Sequence, residues 1–337
     1  MRKELTFSSV LSPYLTDFLN MKRTCGQYVH HIQYILKEID NFYVENNISN
    51  GIITKDLIQQ WKESRINDKT TTLNSKLSIW TQLARYMSLM GVDCYIPNKI
   101  QLRKKCDETF IPYIFTYNQI NKIFEKSDEL RLRCHYSQVS LFSIPAILRL
   151  IYSTGLRISE ALSIQNQDVN FEMKTILIKD TKNKADRLIP INETLMNVLL
   201  QYKFYRDKMP YDDICDKHHF FFVRTDGSPC TTKGVNHWFR YLLELCNIPY
   251  MGNHHGPRIH DLRHTFAVHS LANMSKNGID LYTGLPLIST ILGHKTISGT
   301  EKYVRLTIEM FPELTDKASE YNSFIYPQNI SSNETDY

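Results

Sequence analysis

The amino-acid sequence predicts a mainly α-helical protein with a small β-sheet, built as two domains. The chain has 337 residues, about twice the length of a typical domain. Apolar residues recur at spacings of three and four over most of it, which is the period of an amphipathic helix. One stretch, KTILIKDTKNKADRLIPI, instead alternates apolar and polar residues on both sides of a polar turn and predicts a β-hairpin.

Composition narrows the class of protein. Hydrophobic residues make up 42% and charged residues 22% of the chain, as in ordinary globular domains. No apolar run reaches the roughly 18 residues of a membrane-spanning helix, and MRKELTFSSV lacks the apolar core of a signal peptide. The seven cysteines include no C-x-x-C pair, so neither a disulfide framework nor a zinc site is indicated. We therefore expect a cytoplasmic protein with reduced thiols.

Residues 1–97 are expected to form a first domain, a bundle of about four helices. The stretch YVHHIQYILKEIDNFYVENN carries apolar residues at helical spacing: Val29, Ile32, Ile35, Ile39 and Phe42. Thr54 is a predicted N-cap and Gly91 a predicted helix stop. The first 105 residues carry 15 Lys/Arg against 9 Asp/Glu, and the remainder carries 25 against 26. This imbalance favours a polyanionic partner, with a merely solvated basic surface as the alternative.

Residues 98–113 are predicted to be a basic linker between the domains. Two prolines, Pro97 and Pro112, bracket the segment and argue against a continuous helix. Its cations are clustered: Lys99, Arg103, Lys104 and Lys105. A segment that only joins two domains has no need of this charge, whereas one that crosses nucleic-acid phosphates does. These four residues are therefore candidate DNA contacts.

Residues 114–326 are expected to form the second domain. Thr116 is the predicted N-cap of a helix in TYNQINKIFEK, and the following helix has Pro145 near its start and Gly155 at its end. The hairpin described above has residues 181–185 at its tip. The final residues, 327–337, are polar and are expected to be disordered.

Two arginines of this domain are candidates for phosphate recognition, because the planar guanidinium donates to two oxygens at once. Arg157 lies in STGLRISEAL, and Arg263 lies in HDLRHTFAVHS. His260 precedes Arg263 by three residues, which puts both on one face of a helix. Each arginine has an alternative interpretation as a structural salt-bridge partner. Glu160 and Asp261 are the nearest carboxylates in sequence for such pairing.

Three further residues are equally ambiguous when each is taken alone. Lys182 lies at the hairpin tip, where a solvated turn lysine is the simple interpretation and Lys179 and Lys184 are competitors. His294 follows the glycine of an apolar run and is also typical of a helix-capping histidine. Tyr303 is one of 20 tyrosines and has the ordinary interpretation of a core or rim aromatic.

Together these residues follow the order Arg, Lys, His-x-x-Arg, His, Tyr. In the segments TGLRISEAL, HDLRHTFA and LGHKTISGTEKYVR the chain resembles the tyrosine recombinase (phage integrase) family, in its simple two-domain form. The resemblance spans about residues 1–325. The family hairpin has its lysine eight residues before a proline, which points from Pro190 to Lys182.

The resemblance implies an N-terminal helical core-binding domain and an α/β catalytic domain that hold opposite faces of double-stranded DNA. It further implies a site-specific recombinase or integrase that acts on two recombination sites as a homotetramer, with no cofactor and no metal. No Walker-type phosphate loop occurs in the sequence. A mobile element, such as a transposon, is the expected source of this activity.

The resemblance also assigns roles to the site residues. Tyr303 is implied to attack a phosphodiester and to form a 3′-phosphotyrosyl intermediate. Arg157, Arg263 and His294 are implied to neutralise the non-bridging oxygens. His260 is implied to help take the tyrosine proton, and Lys182 to protonate the leaving 5′-oxygen.

Several features depart from the pattern or stay open. The stretch at 272–289 is longer than in compact family members, and His254 and His255 form an extra pair. For His264 we expect packing and hydrogen bonding.

Two other functions remain as alternatives to a recombinase. They are a type IB topoisomerase-like nicking-closing enzyme and a catalytically idle DNA-binding regulator. A zinc hydrolase is disfavoured, because no H-E-x-x-H motif occurs.

The segment after Tyr303 is a candidate for contact between subunits. It carries an apolar cluster formed by Ile308, Met310, Phe311 and Leu314. In the resembling family such a segment docks into a neighbouring subunit in a ring. Packing on its own catalytic domain is the alternative.

Overall fold

The computed structural model describes residues 5–27, 29–97, 111–131, 140–179, 186–251, 256–294, 296–312 and 314. The chain forms two compact units, Met1–Phe110 and Ile111–Tyr337. The boundary between them falls within the predicted linker, whose four candidate DNA-contacting cations lie outside the described residues. The predicted tail, residues 327–337, lies outside them too. None of the described helices is long and apolar enough to cross a membrane.

The described part of the first unit contains four helices, labelled α1 (Ser12–Thr24), α2 (His30–Glu45), α3 (Lys55–Glu63) and α4 (Thr70–Leu89). The hydroxyl of Thr54 accepts from the backbone N–H of Leu57, as expected of an N-cap. Trp61 and Trp80 are fully buried at the centre of the bundle and meet edge to face. These two large rings belong to the apolar core of this unit, together with residues of all four helices.

The second unit contains a longer series of elements. Its helices are α5 (Tyr117–Asp128), α6 (Ile144–Thr154), α7 (Ile158–Ser163), α8 (Glu193–Arg206), α9 (Thr232–Leu245), α10 (Ile259–Lys276), α11 (Leu281–Leu292) and α12 (Ser298–Met310). The strands are β1 (Val169–Asn170), β2 (Thr175–Ile178) and β3 (Arg187–Pro190). They form one antiparallel sheet in the order β1-β2-β3. The prediction of a mainly helical fold with a small sheet is confirmed.

The hairpin of this sheet is β2 and β3. Thr175 lies opposite Pro190, and Ile178 lies opposite Arg187. Ile176 and Ile178 face the core, so the apolar alternation of the sequence matches the pleat of the strand. The hairpin tip, which includes Lys182 and Lys184, lies outside the described residues.

Gly155 ends α6 and directs the chain toward the site. Its φ of +65° is a left-handed conformation that side chains rarely adopt. A Cβ at this position would lie 2.4 Å from a ring carbon of Phe266. Because glycine has no side chain, the backbone can pass close to Phe266 of α10 at this turn. The turn places Arg157 at the start of α7.

Helices α10, α11 and α12 pack on one another through a small apolar cluster. Its buried members include Val268, Leu271, Ile288, Leu292, Tyr303 and Val304. Along α10 the buried residues occupy every side of the helix, since this helix also packs against α6. A central helix that is buried all round can hold polar side chains at fixed positions against its neighbours.

Candidate active site

Five of the six residues predicted for the catalytic site belong to the described part of the chain. They lie on the turn into α7 (Arg157), on α10 (His260 and Arg263), after α11 (His294) and on α12 (Tyr303). Lys182 is the sixth and lies outside the described residues. The contacts below link the side chains of these elements into one cluster.

Arg263 is the central cation of the cluster and is 1% exposed. Its Nη1 donates to the carbonyl oxygen of Gly155 and its Nη2 to that of Leu292, each at 2.7 Å. Nη2 also lies 3.1 Å from Nε2 of His294. Burial, and next the charge of Arg157, lowers the pKa of Arg263 to about 10. The guanidinium thus joins the ends of α6 and α11 to the site.

The suggestion that Asp261 pairs with Arg263 is wrong. Asp261 is fully buried, but its Oδ2 accepts from the backbone N–H of Arg258 at 2.7 Å. Residues two apart on a helix are separated by about 200° of rotation, so Asp261 and Arg263 point in opposite directions. Main-chain carbonyl groups hold Arg263 instead, which leaves its full positive charge within the site.

Glu160, by contrast, does pair with Arg157. Its Oε1 accepts from Nη1 of Arg157 at 2.7 Å, and its Oε2 accepts from the Arg157 backbone N–H. Burial alone would raise the pKa of Glu160, but hydrogen bonds from Arg187 and from Arg157 hold it below its usual value. The ionised carboxylate therefore fixes the position of Arg157, whose side chain stays 26% exposed.

Arg187 is a site-supporting residue that sequence reasoning missed. Its Nη2 donates to Oε2 of Glu160 at 2.7 Å, and its Nε donates to the carbonyl oxygen of Ile291 at 3.0 Å. A Cβ on Gly293 would lie 3.0 Å from its Nη1, so the glycine leaves room for this arginine. Its place at the first residue of β3 is the only sequence signal, and that signal does not separate it from an ordinary strand-end arginine.

His294 lies directly after Gly293, whose left-handed backbone ends α11. Its Nδ1 is 2.7 Å from Oγ1 of Thr300, and its Nε2 faces Arg263. The ring stands nearly parallel to that of Tyr303, with centroids 6.4 Å apart. Burial, followed by the charge of Arg263, lowers the pKa of His294 to about 4. This imidazole is therefore neutral at neutral pH.

Tyr303 is a buried member of the apolar cluster and is 1% exposed. Its hydroxyl lies 2.7 Å from Nδ1 of His264. Burial raises the pKa of Tyr303 to about 12, although the charges of Arg263 and Arg157 act to lower it. The ammonium group of Lys302 lies 5.2 Å from the centre of the phenol ring. The phenol is thus neutral, enclosed and close to several cations.

The two histidines on α10 differ in their surroundings. The ring of His260 is solvent-exposed and stands perpendicular to that of His264, with centroids 4.9 Å apart. Partial burial and the charge of Arg263 lower the pKa of His260. His264 is buried, and burial holds its pKa far below the ordinary value. The hydrogen bonding expected of His264 is present, and its partner is Tyr303.

These contacts produce a site with an excess of positive charge. Two guanidinium groups and the hydrogen-bonding edge of a neutral imidazole surround a phenol, and one carboxylate pairs with the outer arginine. Such a set of donors suits an anion with several oxygens, a phosphoryl group above all. A phenol held beside it has the chemistry of a nucleophile once its proton is removed.

The chain matches the family model of the phage integrase family over residues 114–310. It is 31% identical over 240 residues to the tyrosine recombinase XerC of Bacillus subtilis, and the match covers 71% of each protein. The predicted family resemblance is therefore confirmed.

Solved structures show the same fold. The Tn1549 transposon integrase in complex with a circular intermediate DNA superposes with a TM-score of 0.63 at 16% identity, covering 86% of this chain and 94% of that one. A λ integrase dimer bound to a core site superposes with a TM-score of 0.58 at 14% identity, covering 86% and 94%.

Proposed function

The chain belongs to the phage integrase family of tyrosine recombinases, and from this premise we propose a site-specific DNA recombinase with Tyr303 as its nucleophile. The activity of the family is to cleave and rejoin DNA through a tyrosine. The observation that carries the assignment is the enclosure of the Tyr303 phenol beside Arg157, Arg263 and His294. A tyrosine that serves only in packing has no need of these cations, one of which, Arg263, is held by main-chain carbonyl groups and not by a carboxylate.

The proposed step is an in-line displacement at phosphorus. The phenol of Tyr303 loses its proton, with His260 as the candidate acceptor, and its oxygen forms a bond to the scissile phosphorus. The bond from phosphorus to the 5′-oxygen breaks, and that oxygen takes a proton from Lys182. The products are a 3′-phosphotyrosyl linkage and a free 5′-hydroxyl. Attack by the 5′-hydroxyl of another strand reverses the chemistry and rejoins the DNA without an external energy source.

Charge stabilisation is the main contribution that the described residues make to this step. The transition state spreads additional negative charge over the non-bridging oxygens. Arg263 is fixed by two main-chain carbonyls and Arg157 by Glu160, so both guanidinium groups are oriented before the substrate arrives. Preorganised donors of this kind contribute about 3–4 kcal/mol each in enzymes that stabilise oxyanions. The hydroxyl of Tyr303 must leave His264 before it can meet the phosphorus.

The proposal also covers the first domain and the linker, the source of the protein and its location in the cell. Residues 1–97 are proposed as the DNA-binding domain and residues 98–113 as the segment that crosses the phosphate backbone, supported by the basic balance of the first 105 residues. A mobile element is the proposed source, supported by the fold shared with the Tn1549 transposon integrase. A cytoplasmic location is proposed, since Cys25, Cys94, Cys215, Cys230 and Cys246 are free thiols.

Trapping of a covalent adduct tests the enzymatic assignment. The DNA that flanks the gene is sequenced to find inverted repeats, the protein is incubated with nicked duplexes that span them, and the adduct is quantified on a denaturing gel. Tyr303→Phe should abolish the adduct and leave DNA affinity within a few fold, because only the hydroxyl is removed. Tyr282→Phe, a change at an exposed tyrosine of α11, is the matched control and should react normally. A covalent adduct that still forms with the Tyr303→Phe protein would contradict the assignment of Tyr303 as the nucleophile.

Strand exchange separates recombination from a topoisomerase-like reaction. Two differently labelled duplexes should yield hybrid products, through a synapse of two sites held by four protomers. Deletion of residues 308–337 should abolish the two-duplex complex on a native gel. Because Ile308, Met310 and Phe311 pack on the apolar cluster of their own chain, retained binding to one duplex and an unchanged circular dichroism spectrum are the controls for the fold of the truncated protein. A nicking-closing enzyme would relax supercoiled DNA and produce no hybrids. A synapse that survives the deletion would show that the subunits meet elsewhere.

A further inference from the structure

One buried hydroxyl beside the site has no role in the proposed mechanism. Thr300 is 0% exposed and lies on α12, three residues before Tyr303. Its Oγ1 is 2.7 Å from Nδ1 of His294. The other ring nitrogen, Nε2, is the one that faces Arg263 and the proposed phosphate site. Thr300 therefore contacts the side of the imidazole that points away from the chemistry.

The proton on His294 can be placed by elimination in this state. A guanidinium group has only donors, so Nη2 of Arg263 donates to Nε2 of His294, and Nε2 carries no hydrogen. A neutral imidazole carries its single hydrogen on the other nitrogen, Nδ1. The pKa of His294, lowered to about 4 by burial, supports the neutral form. Nδ1 therefore donates to Oγ1 of Thr300, which acts as the acceptor.

A bound phosphate reverses this requirement. Phosphate oxygens are acceptors, so His294 contributes a hydrogen bond only if Nε2 carries the hydrogen. A ring that stays neutral then has a bare Nδ1, which needs a donor. One proton is taken up from water at Nε2 and one is returned to water from Nδ1, so the net charge of the ring is unchanged. Nη2 of Arg263 is freed from His294 and turns to the same phosphate.

We propose that Thr300 is a positioning residue whose hydroxyl accepts from His294 in the empty site and donates to it when a phosphodiester is bound. The proposal deepens the recombinase function and rests on it. A hydroxyl can reverse its direction in this way, whereas an amide, a carboxylate or an apolar group cannot follow both tautomers in place. Because Thr300 and Tyr303 lie on one helix, the contact also ties the phosphate-binding imidazole to the helix of the nucleophile.

Three variants on one helix isolate the hydroxyl. Thr300→Val keeps the shape and removes the hydrogen bond, and Thr300→Ser keeps the hydroxyl. Thr307→Val is the matched control, because Thr307 is also 0% exposed on α12 and donates only to the carbonyl oxygen of Tyr303. Circular dichroism and urea unfolding establish that each variant is folded. Single-turnover cleavage of the nicked duplex should fall at least about tenfold in Thr300→Val, and stay within about threefold in the other two.

Nitrogen NMR of histidine-labelled protein reads the tautomer directly, with His294 assigned by comparison with His294→Gln. Free protein should show a protonated Nδ1 and a bare Nε2, and the Tyr303→Phe protein bound to uncleaved duplex should show the reverse. Wild-type cleavage rates in Thr300→Val would overturn the proposal, as would equal loss in Thr300→Ser and Thr300→Val. A ring protonated at both nitrogens on DNA would overturn it as well.

The same measurements separate this proposal from the proposed function. The tautomer of the free protein requires no DNA chemistry, so a bare Nδ1 there overturns the role of Thr300 while leaving the recombinase assignment intact. A wild-type protein that forms no adduct with any flanking duplex overturns the recombinase assignment, and with it the phosphate-bound half of this proposal. In that case a protonated Nδ1 in the free protein would still stand as a property of the fold.

Discussion

The hydroxyl of Tyr303 lies within hydrogen-bond distance, 2.7 Å, of Nδ1 of His264, and both side chains are buried. Burial, and next the neighbouring His260, keep the pKa of His264 far below the ordinary value and its imidazole neutral, so that a ring nitrogen can accept from the phenol. The pKa of Tyr303, raised to about 12 by burial, keeps the phenol protonated. The proposed nucleophile is therefore held in a bond that it must break before it reacts.

Replacing His264 should release the Tyr303 hydroxyl. His264→Leu removes the acceptor and leaves a buried hydroxyl unsatisfied, which costs about 1–3 kcal/mol. His264→Asn keeps an oxygen near the position of Nδ1. Nitration of the Tyr303 peptide, followed by mass spectrometry, should be about tenfold faster in His264→Leu and little changed in His264→Asn. Tyr43, which is 1% exposed in the first unit, is the internal control. Equal protection in both variants would mean that packing alone encloses the phenol.

The two site arginines should each be required for cleavage. Arg157→Ala and Arg263→Ala are expected to lower the single-turnover rate by at least about 100-fold, the scale of losing one oxyanion donor. Arg149→Ala is the control, because Arg149 pairs with Asp128 on α5 and makes no hydrogen bond to the site residues that the structure describes. A chelator should have no effect on the rate. Activity that is lost in EDTA and restored by Mg²⁺ would contradict the mechanism.

Stability should fall as the pH drops from about 6.5 toward 4. His269 is buried, its Nδ1 contacts the hydroxyl of Tyr152 at 2.9 Å, and burial lowers its pKa to about 4. In the unfolded chain a histidine titrates near 6.5, so in this interval the unfolded state binds a proton that the folded state does not. The pKa values of His264 and His294 are also lowered in the folded chain, so these residues reduce the free energy of unfolding over the same fall in pH.

Urea unfolding at pH 7.5 and pH 5 measures this effect. The free energy of unfolding should be larger at pH 7.5, and the difference should shrink in His269→Gln, which lacks the titrating ring. Carboxylates with lowered pKa, such as Glu160, lose their contribution only at more acidic pH and do not obscure the comparison. Equal free energies at the two pH values would show that the buried histidines titrate normally.

Lys182 should act on the leaving group. Lys182→Ala is expected to slow cleavage of a natural phosphodiester, since the departing 5′-alkoxide then lacks a proton donor. A substrate with a 5′-bridging sulfur, which leaves readily without a proton, should restore the rate. Lys184→Ala is the matched control two residues away. Rescue of Lys184→Ala in place of Lys182→Ala would transfer the role to Lys184.

Local sequence signals predicted the elements well. The caps at Thr54 and Thr116 were predicted correctly because each hydroxyl accepts from a backbone N–H three residues later. Gly155 was predicted as a helix end because a left-handed residue there favours glycine. The hairpin of β2 and β3 follows directly from the alternation of apolar residues. These interactions span only a few residues and are therefore readable in one sequence.

The support of the site depends on packing between distant segments and was not predictable in the same way. Arg187 reaches Glu160 from a strand 27 residues away. His264 meets Tyr303 across 39 residues, and nothing in the motif distinguishes His264 from other histidines of α10. Asp261 and Arg263 are close in sequence, but their side chains leave α10 on opposite sides, so the suggested pairing does not form. Candidate residues could be predicted, but their partners required the folded chain.

Tyr303 belongs to the apolar cluster that joins α10, α11 and α12, so the proposed nucleophile also contributes to the local stability of the fold. If Tyr303 is the nucleophile, we expect each round of cleavage to begin with a partial opening of that cluster, a pre-equilibrium that precedes the chemistry. The apparent activation enthalpy should contain the enthalpy of this opening and exceed that of the phosphoryl transfer itself. Amide protons of α12 should accordingly exchange with solvent sooner than those of α6, whose residues are buried in the main core. Substitutions that tighten the cluster should make the protein more heat-stable and slower at low temperature.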